Sequence, residues 1–560
     1  MFALSLVSSF LLFSSVVAAP AAQSFPLPTG IGQGRLDWGK LWCQVPVLKN
    51  LGHCPRAPAD GLQIATPIGP ARGTFASGAN RFSVKYASAN RWAPSTVATT
   101  WQLPNGANDP ATLPLACPQP NLSSSSYSED CLSMVLYVPT YLNPNSKAPV
   151  MVWIHGGSFV VGSASDPSVD GANLAMTTGS IVAVIQYRLG ALGFLEPQGQ
   201  TNLGAKDVVS ALQFLKANIA PFGGDASKVT LAGQSAGANM IRALLAAPSA
   251  QPLFRSAIIQ SDPMGYGFLS TSVRQDLVDN FLGQISCSAS DTSCLNSASL
   301  SSIVDATWSI QNSGQQINAA AGQGEPIRVV QDGSFITSPL DSTGSFPSVS
   351  KPLLISTVKN EAATTVYHAF GSALPNSAFE PVCAAIIGSD RASTIASSGV
   401  YPNPPLSNGS EDSRVELEVV GTDQMWKCAS WTFARNWVQH GGKAFVGVYT
   451  RGATYPGNEA YSVCTQPGEV CHQDDIRIVF GNVPNPSTDQ AALIAEVQGR
   501  YKAFLQNGNP NAGGLSQWSE SSTTDVHALN LGGVGTIATA SCDPSFWGGA
   551  VPFDYQIYNL

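Results

Sequence analysis

The sequence predicts an α/β fold with a large, mostly parallel central sheet flanked by helices and with long insertions. From about residue 134 to about residue 261, short apolar runs rich in Val and Ile alternate with amphipathic stretches. Buried strands of a parallel sheet read as continuous apolar runs, and their alternation with helices is typical of a sheet covered on both faces. The strands predicted in this way are 134–139, 149–155, 181–187, 229–234, 256–260, 353–358 and 444–449.

The clearest helical pattern covers residues 205–220, where Val208, Ala211, Leu212 and Leu215 recur at helical spacing. Further helices are predicted at 238–247, 422–440 and 487–505, the last of which begins with a Ser-Thr-Asp cap. The region from 20 to about 105 is rich in loop-forming residues, and no linker or repeat separates it from the rest. Residues 19–560 are therefore predicted to form one domain.

Composition limits the classes of partner. Only 11% of the 560 residues are charged, where about 25% is usual for soluble domains. Lys and Arg number 28 against 36 Asp and Glu, which gives a net charge of −8. A chain that is acidic and poor in charge has little attraction for phosphate backbones or anionic bilayers. Nucleic acid and anionic membranes are therefore not expected as partners. No stretch after the first residues approaches the ~20 uninterrupted apolar residues that span a bilayer, so a stable membrane anchor is not expected either.

The beginning of the chain predicts export. Residues 2–17 form an apolar run that ends in small residues, which indicates a signal peptide over residues 1–18 and a secreted, extracellular protein. Asn121 and Asn408 begin two glycosylation sequons. Eleven cysteines imply several disulfides and one thiol left over. The six histidines are scattered and no Cys-x-x-Cys pair is present, so we expect no metal site and no cofactor.

A candidate nucleophile is Ser235, in the sequence Gly-Gln-Ser-Ala-Gly over residues 233–237. The motif follows the predicted strand 229–234 and precedes the predicted helix 238–247. A sharp strand-to-helix turn with flanking glycines raises a serine hydroxyl above the end of a sheet. The glycine-rich segment 153–159, Trp-Ile-His-Gly-Gly-Ser-Phe, ends an earlier predicted strand and offers free backbone N–H groups that could hold an oxyanion.

Several further motifs occur in a fixed order along the chain. They are Ser-Glu-Asp-Cys-Leu at 128–132, Tyr-Arg-Leu-Gly at 187–190, Gly-Phe-Leu at 193–195 and Phe-Gly-Gly-Asp at 222–225. With the serine motif, they make the chain resemble the type-B carboxylesterase/lipase family, the cholinesterase-like esterases of the α/β-hydrolase fold, and among them secreted fungal members. The resemblance implies that fold and the hydrolysis of a small-molecule ester by a serine, a histidine and a glutamate.

The resemblance also implies which residues complete the triad. Glu361 follows the predicted strand 353–358 in a segment similar to the one that carries the family's acid, and Asp332, the nearest competitor, looks like a structural turn. His472 lies in a segment similar to that of the family's base, and the order Ser…Glu…His is the one found in α/β-hydrolases. His155 belongs to the glycine-rich segment. His53 precedes the serine motif in the loop-rich N-terminal region. His368, His440 and His527 lack a matching context.

The family's oxyanion donors carry over to the backbone N–H groups of Gly157, Ser158 and Ala236. Ser158 stands where a third glycine is usual, but a backbone donor does not depend on the side chain. Ser261 resembles a serine that hydrogen-bonds the triad acid, although Asp262 replaces the glycine that usually follows it. Gln234 stands where most relatives have Glu, which removes a negative charge beside the site and weakens the attraction for cationic esters such as choline esters.

The same resemblance implies disulfides. The pairs similar to family positions are Cys117–Cys131, Cys287–Cys294 and Cys428–Cys542; the spacing alone suggests Cys464–Cys471 and Cys43–Cys54, which leaves Cys383 as the free thiol. The segment between Cys117 and Cys131 has no Trp and is short where related lipases carry a long lid. We therefore expect an esterase for soluble or modest-sized esters. A lipase or sterol esterase is the alternative, and a binding module without catalysis is a third possibility.

Overall fold

An eleven-stranded sheet runs through the part of the chain that the computed structural model describes, residues 62–197 and 199–555. Its strand order is β1-β2-β3-β6-β8-β7-β9-β10-β11-β12-β13. From β8 to β13 each neighbouring pair is parallel, whereas β1, β2, β3, β6 and β8 pair antiparallel. The predicted signal peptide and the pair Cys43 and Cys54 lie outside the described residues.

The predicted parallel core of the sheet is present. The bounds are β6 Ser133–Val138, β7 Ala148–Ile154, β8 Ile181–Ile185, β9 Gly224–Gln234, β10 Ser256–Gln260, β11 Pro352–Val358 and β12 Lys443–Tyr449. All residues of β6, β7, β8 and β10 are buried. Helices on both faces exclude water from these strands, which is why their sequences are continuous apolar runs.

The prediction that 20–105 is loop-rich is wrong for residues 62–85. This stretch forms β1 Leu62–Thr66, β2 Gly69–Ala76 and β3 Ala79–Lys85, an antiparallel extension of the sheet. In β1 every second residue is exposed, and β2 contains two glycines and a proline. Strands that are solvated on one face alternate in polarity instead of forming an apolar run, so the search for apolar runs does not identify them. The remaining strands are β4 Ala87–Ser88, β5 Thr96–Val97 and β13 Leu529–Leu531.

The helices cover both faces of the sheet. The predicted helix 205–220 is α3, 238–247 is α4, and 487–505 is α14, which begins with a capping box between Ser487 and Gln490. The bounds are α1 Ala172–Thr178, α2 Gly190–Phe194, α3 Leu203–Asn218, α4 Ala236–Leu245, α5 Thr271–Gln284, α6 Thr292–Ser297, α7 Leu300–Ile317, α8 Ala363–Ala369, α9 Phe379–Ile387, α10 Ser389–Ser397, α11 Arg414–Thr422, α12 Cys428–Gln439, α13 Ile476–Phe480 and α14 Thr488–Asn507.

The helix predicted at 422–440 differs from the observed one. Helical structure begins with α11 at Arg414 and continues into α12, and the two are joined by the π-helical segment Asp423–Lys427. A π-helical turn holds one more residue than an α-helical turn, and such turns are frequent at functional sites. No residue type is diagnostic of a π-helical turn. The apolar residues before and after it recur at helical spacing, but the extra residue shifts the phase of one set against the other, so the sequence does not show one continuous helix.

The sheet register sets several chain segments side by side. Ile154 pairs with Gly233, Gln260 pairs with Gln234, and Gln260 pairs with Ser356 on its other side. The carboxyl ends of β7, β9, β10 and β11 are therefore level at one edge of the sheet, where ligands bind in open α/β folds. Within 62–197 and 199–555 no helix combines the length and the apolar character needed to cross a bilayer.

Candidate active site

Ser235 occupies the turn between β9 and α4. Its backbone has φ 57° and ψ −127°, a region that residues other than glycine rarely adopt. The turn is held on both sides, because the Ser235 N–H donates to the Gln260 carbonyl at 2.9 Å and the Ser235 carbonyl accepts from Ala238 N–H at 2.8 Å. The strained backbone presents the serine at the N-terminus of α4, at the edge where the parallel strands end.

Glycines allow the turn to pack against neighbouring backbone. A Cβ on Gly237 would lie 2.1 Å from the Ile154 carbonyl oxygen, and a Cβ on Gly233 would lie 2.8 Å from the same atom. A Cβ on Gly156 would lie 2.7 Å from the Gln234 carbonyl oxygen and 3.0 Å from the Cβ of Ser235. A larger residue at any of these positions would force the segment after β7 away from Ser235.

The glycine-rich segment supplies the predicted oxyanion donors. Gly157 has φ 104° and Ser158 has φ 51°. With these dihedral angles the two residues do not take part in the regular hydrogen-bonding pattern of a strand or a helix. Among the described residues no hydrogen-bond acceptor is found for the N–H of Gly157 or Ser158. Ala236 is the first residue of α4, whose N–H the helix itself leaves unpaired. The three amides therefore remain available to a ligand oxygen.

His155 is part of the frame of this loop. Its ring stacks on Tyr187 with 4.6 Å between ring centroids, and its Nδ1 lies 2.9 Å from the Gly156 carbonyl oxygen. The Tyr187 hydroxyl donates to the His155 carbonyl at 2.8 Å. Burial lowers the pKa of His155 to about 4, so the ring is neutral at neutral pH. Neutral Nδ1–H can donate to the Gly156 carbonyl and hold the loop in place.

Glu361 and His472 meet although 111 residues separate them in sequence. Glu361 is fully buried; its Oε1 accepts from Val358 N–H at 2.8 Å, and its Oε2 lies 2.5 Å from His472 Nδ1. Asn360 ties the two segments together, because its N–H donates to the Val470 carbonyl and its Oδ1 accepts from Val470 N–H. Burial by itself would lower the pKa of His472, but Glu361, Asp475 and Glu325 raise it above its ordinary value.

The other ring nitrogen of His472 faces the residue before the serine. Gln234 Nε2 lies 3.1 Å from His472 Nε2, while the described residues contain no hydrogen bond between the Ser235 hydroxyl and His472. The structure thus brings Glu361 and His472 together and places His472 beside the Ser235 turn. The last hydrogen bond of the predicted triad is replaced by one to Gln234.

The prediction that Ser261 hydrogen-bonds the acid is wrong. Ser261 Oγ is buried and has no partner among the described residues, and Glu361 uses the Val358 N–H instead. The backbone around Ser261 is fixed by its N–H, which donates to the Ser356 carbonyl at 2.7 Å, and by its φ of 50°. Asp262, which stands where a glycine is usual, forms a buried ion pair with Arg242 at 2.8 Å. The position of the segment that contains Ser261 is therefore fixed by Arg242, which does not belong to the triad.

Comparison with known proteins identifies the family. The sequence profile of the Carboxylesterase family matches residues 61–543. The chain belongs to this family. It is 30% identical over 386 residues to "Crystal protein" of Dictyostelium discoideum, covering 68% of this chain and 67% of that one. It is 45% identical over 157 residues to "Para-nitrobenzyl esterase" of Bacillus subtilis (strain 168), covering 26% of this chain and 32% of that one.

Comparison with solved structures identifies the fold. A structure titled "PNB esterase" superposes with a TM-score of 0.67 at 24% sequence identity, and the match covers 84% of this chain and 96% of that one. The fold of this carboxylesterase is therefore the α/β-hydrolase fold, and the family makes it a carboxylic ester hydrolase that acts on small-molecule esters.

In this carboxylesterase the loop that carries His472 is clamped. A disulfide joins Cys464 to Cys471 directly before the histidine. Asn458 Nδ2 donates to the His472 carbonyl at 2.8 Å, and Cys471 N–H donates to Asp474 Oδ2 at 2.8 Å. Burial raises the pKa of Asp474 to about 7. Covalent and polar contacts on both sides of His472 restrict where its ring can go.

The remaining predicted residues lie as follows. Asp332 accepts the N–H groups of Ser334, Phe335 and Ile336 and so closes a turn. Asn121 and Asn408 are exposed. Disulfides join Cys117 to Cys131, Cys287 to Cys294 and Cys428 to Cys542, as expected from the sequence, and Cys383 is a buried free thiol.

Two features beside the site escaped sequence reasoning. Trp426, in the π-helical segment, lies with its ring centroid 5.5 Å from that of His472. It lines a cavity of about 100 Å³ whose walls are mainly aliphatic and include Val366, Ile386, Leu417 and Val420. Glu325 is buried near Ser158, and burial raises its pKa to about 7. Neither residue belongs to a recognisable motif, because the first depends on the helical irregularity and the second on tertiary packing.

Proposed function

We propose that this carboxylesterase is a secreted esterase that cleaves carboxylic esters through an acyl-enzyme on Ser235, with His472 as general base and Glu361 as the acid that orients it. The observation that carries the proposal is the buried 2.5 Å contact between Glu361 Oε2 and His472 Nδ1 beside the strained Ser235 turn. A carboxylate on Nδ1 fixes the tautomer that leaves Nε2 free to accept a proton.

In the proposed mechanism, the Ser235 hydroxyl replaces Gln234 as the partner of His472 Nε2 when an ester is bound. The Ser235 proton moves to that nitrogen as Oγ attacks the ester carbonyl. Glu361 stabilises the imidazolium that forms. His472 then gives the proton to the leaving alcohol, and water hydrolyses the acyl-enzyme by the same route with His472 again as base.

The negative charge on the carbonyl oxygen would be held by the backbone N–H groups of Gly157, Ser158 and Ala236. Such preorganised donors stabilise the transition state because their orientation costs nothing at the moment of reaction, and each typically contributes about 3–4 kcal/mol. Support comes from their lack of acceptors among the described residues and from the packing of Gly156 on the Ser235 turn.

The substrate is proposed to be an ester of modest size with an apolar group on one side. The loop between Cys117 and Cys131 contains no helix and is tied down, since Gln119 Nε2 donates to the Gly162 carbonyl and Gly162 N–H donates to Gln119 Oε1. Its Ser-rich tip is mostly exposed. A short, polar and anchored loop is poorly suited to serve as an apolar lid that opens at a lipid surface.

The second candidate is a lipase or sterol esterase, which the apolar cavity next to Trp426 favours. The enclosed volume of this cavity is about 100 Å³, below the roughly 300–1,000 Å³ of most small-molecule pockets. Its aliphatic walls suit an apolar group, and a long acyl chain or a fused-ring alcohol would require the cavity to widen on binding. The two candidates therefore share the chemistry and differ in the length of the apolar group and in the need for an interface.

We further propose that the protein is exported and that Asn121 and Asn408 carry glycans. Four disulfides among the described residues suit an oxidising compartment. Both sequon asparagines are exposed, so their side chains are accessible to modification.

The test is hydrolysis of p-nitrophenyl esters from acetate to palmitate, with S235A as control. We expect the highest kcat/KM with short to medium chains, no activity in S235A, and covalent labelling of the wild type by a fluorophosphonate. A rate that rises steeply above the solubility limit of long esters would favour the lipase instead. Wild-type protein that is neither labelled nor active would refute the proposed mechanism.

A further inference from the structure

The side chain of Gln234 touches the nitrogen of His472 that must accept a proton. The distance between Gln234 Nε2 and His472 Nε2 is 3.1 Å, and both residues are buried. Gln234 is the last residue of β9 and directly precedes Ser235. The contact is therefore held by the same turn that holds the nucleophile.

The protonation of His472 determines the direction of this hydrogen bond. Nδ1 faces the Glu361 carboxylate at 2.5 Å and must carry a proton to donate to it. In the neutral ring Nε2 then has a lone pair and no proton. The Gln234 amide is accordingly the donor, and it uses the lone pair to which Ser235 has to donate during the reaction.

The carbonyl end of the same amide has no partner. Gln234 Oε1 is buried and makes no hydrogen bond with any described residue. It packs against the loop of the candidate oxyanion site, where a Cβ added to Gly156 would lie 3.1 Å from it. A buried, unpaired acceptor is costly unless another state of the protein uses it. Here a proton donor would arise close by, on Nε2, once His472 is charged.

We propose that Gln234 is a positioning residue for the general base, donating to Nε2 of the neutral ring and accepting from the same nitrogen through Oε1 when the ring is protonated. The inference rests on the proposed function. Rotation of the terminal amide exchanges the two roles without moving the backbone. An ionised glutamate, the residue most relatives have here, can only accept and would stabilise the charged ring alone.

The groups that face His472 give this difference a measurable consequence. Glu361, Asp475 and Glu325 all favour the protonated ring, against burial, which opposes it. Because residue 234 is Gln and not Glu, it does not add a fourth carboxylate to these three. Since a neighbouring opposite charge typically shifts a pKa by about 1–3 units, Gln234 keeps the base neutral, and so usable, at a lower pH than a glutamate would allow.

The experiment is the pH dependence of kcat/KM for p-nitrophenyl acetate, whose acid limb reports the base of the free enzyme. In Q234E we expect the acid limb to move to higher pH by about 1 unit or more. In Q234M, which has a similar volume but makes neither hydrogen bond, we expect the acid limb to move to lower pH by about 0.5–1 unit, because the hydrogen bond lost from the charged ring is stronger than the one lost from the neutral ring. Active sites are counted by fluorophosphonate labelling, so only folded enzyme enters the comparison.

Q498E is the matched control. Gln498 is also buried, and its amide donates to Asn173 and to the Val479 carbonyl, not to His472. We expect this variant to keep the wild-type acid limb. Wild-type limbs in both Q234E and Q234M, or an equal shift in Q498E, would overturn the inference. If Q234E does not fold, Q234M alone decides it. Loss of labelling in the wild type would instead refute the proposed function.

Discussion

Two histidines with the same small exposure lie at one edge of the sheet and behave in opposite ways. His155 and His472 are each 6% exposed. Burial lowers the pKa of His155 to about 4, because the Gly156 carbonyl and the charge of Asp166 only partly offset it. The pKa of His472 is raised, because burial is outweighed by Glu361 and the other carboxylates that face the ring.

The comparison shows that burial does not by itself decide what a histidine can do. A backbone carbonyl orients the ring of His155 and leaves it neutral over the physiological range. A carboxylate at Nδ1 orients the ring of His472 and also stabilises its charged form, which a general base must reach during the reaction. The arrangement around His155 holds the glycine-rich loop in place, and the arrangement around His472 is suited to proton transfer.

The largest expected effect comes from replacing the two histidines in turn. We expect H472A to lower kcat by about 10⁵-fold or more, as loss of the base does in serine hydrolases. H155F keeps a ring on Tyr187 and loses only the hydrogen bond to Gly156, so we expect a decrease of about tenfold with an unchanged pH profile. Steady-state kinetics on a short p-nitrophenyl ester measures both. Equal losses in the two variants would contradict the division of roles.

A smaller effect is expected when His472 is made to resemble His155. E361Q replaces the carboxylate by a neutral amide of the same shape, so the ring keeps a neighbour but loses its stabilising charge. We expect kcat to fall by about 10⁴-fold. The acid limb of kcat/KM should move to lower pH, opposite to the direction expected for Q234E, because a factor that raises the pKa of His472 has been removed. An unchanged limb would show that Glu361 does not control the charge of the ring.

The smallest effect concerns Glu325, the most distant in sequence of the carboxylates that raise the pKa of His472. Its folded-state pKa of about 7 exceeds the ordinary value of 4.5 because burial disfavours its charge. Its contribution to stability is therefore fully present below pH 4.5 and is lost as pH rises through about 7.

We expect E325Q, which cannot ionise, to unfold a few degrees above the wild type at pH 8, through up to about 3 kcal/mol of relieved burial. The difference should shrink at pH 5, where Glu325 is largely protonated in the fold. Thermal unfolding at the two pH values measures this. Variant S158A, which removes the hydroxyl near Glu325 and keeps the carboxyl, serves as control. A wild type that is more stable than E325Q at pH 8 would contradict the prediction.

Much of the fold follows from the sequence because the central strands are buried on both faces and read as apolar runs. The strands at the antiparallel end do not, since β1 and β2 expose every second residue or contain glycine and proline. The helices between β10 and β11 were not predicted either. Their stretch, 271–317, is rich in Ser, Asp, Asn and Gln, and its stability comes from packing on α2 and on one another.

The sequence motifs predict the residues of the site one by one, but they do not predict the hydrogen bonds between them. Ser235, Glu361 and His472 each stand at the end of a strand or in a recognisable loop. Whether Ser261 reaches Glu361, or Gln234 reaches His472, depends on side-chain rotamers and on backbone held by distant partners such as Arg242. Those are properties of the packed molecule, and a motif fixes residue types without fixing rotamers.

The π-helical segment Asp423–Lys427 contains one residue more than a regular helical turn, and this extra residue determines which side chains form the wall of the cavity. In a regular α-helix each residue advances the side-chain direction by about 100°. The extra residue of the π turn therefore sets the angle at which α11 and α12 present their faces, and with it the angle at which Trp426 meets His472. Relatives that lack this extra residue would present a different side chain to the histidine even with an identical surrounding sequence, so a change in substrate preference could arise from one deletion and no substitution.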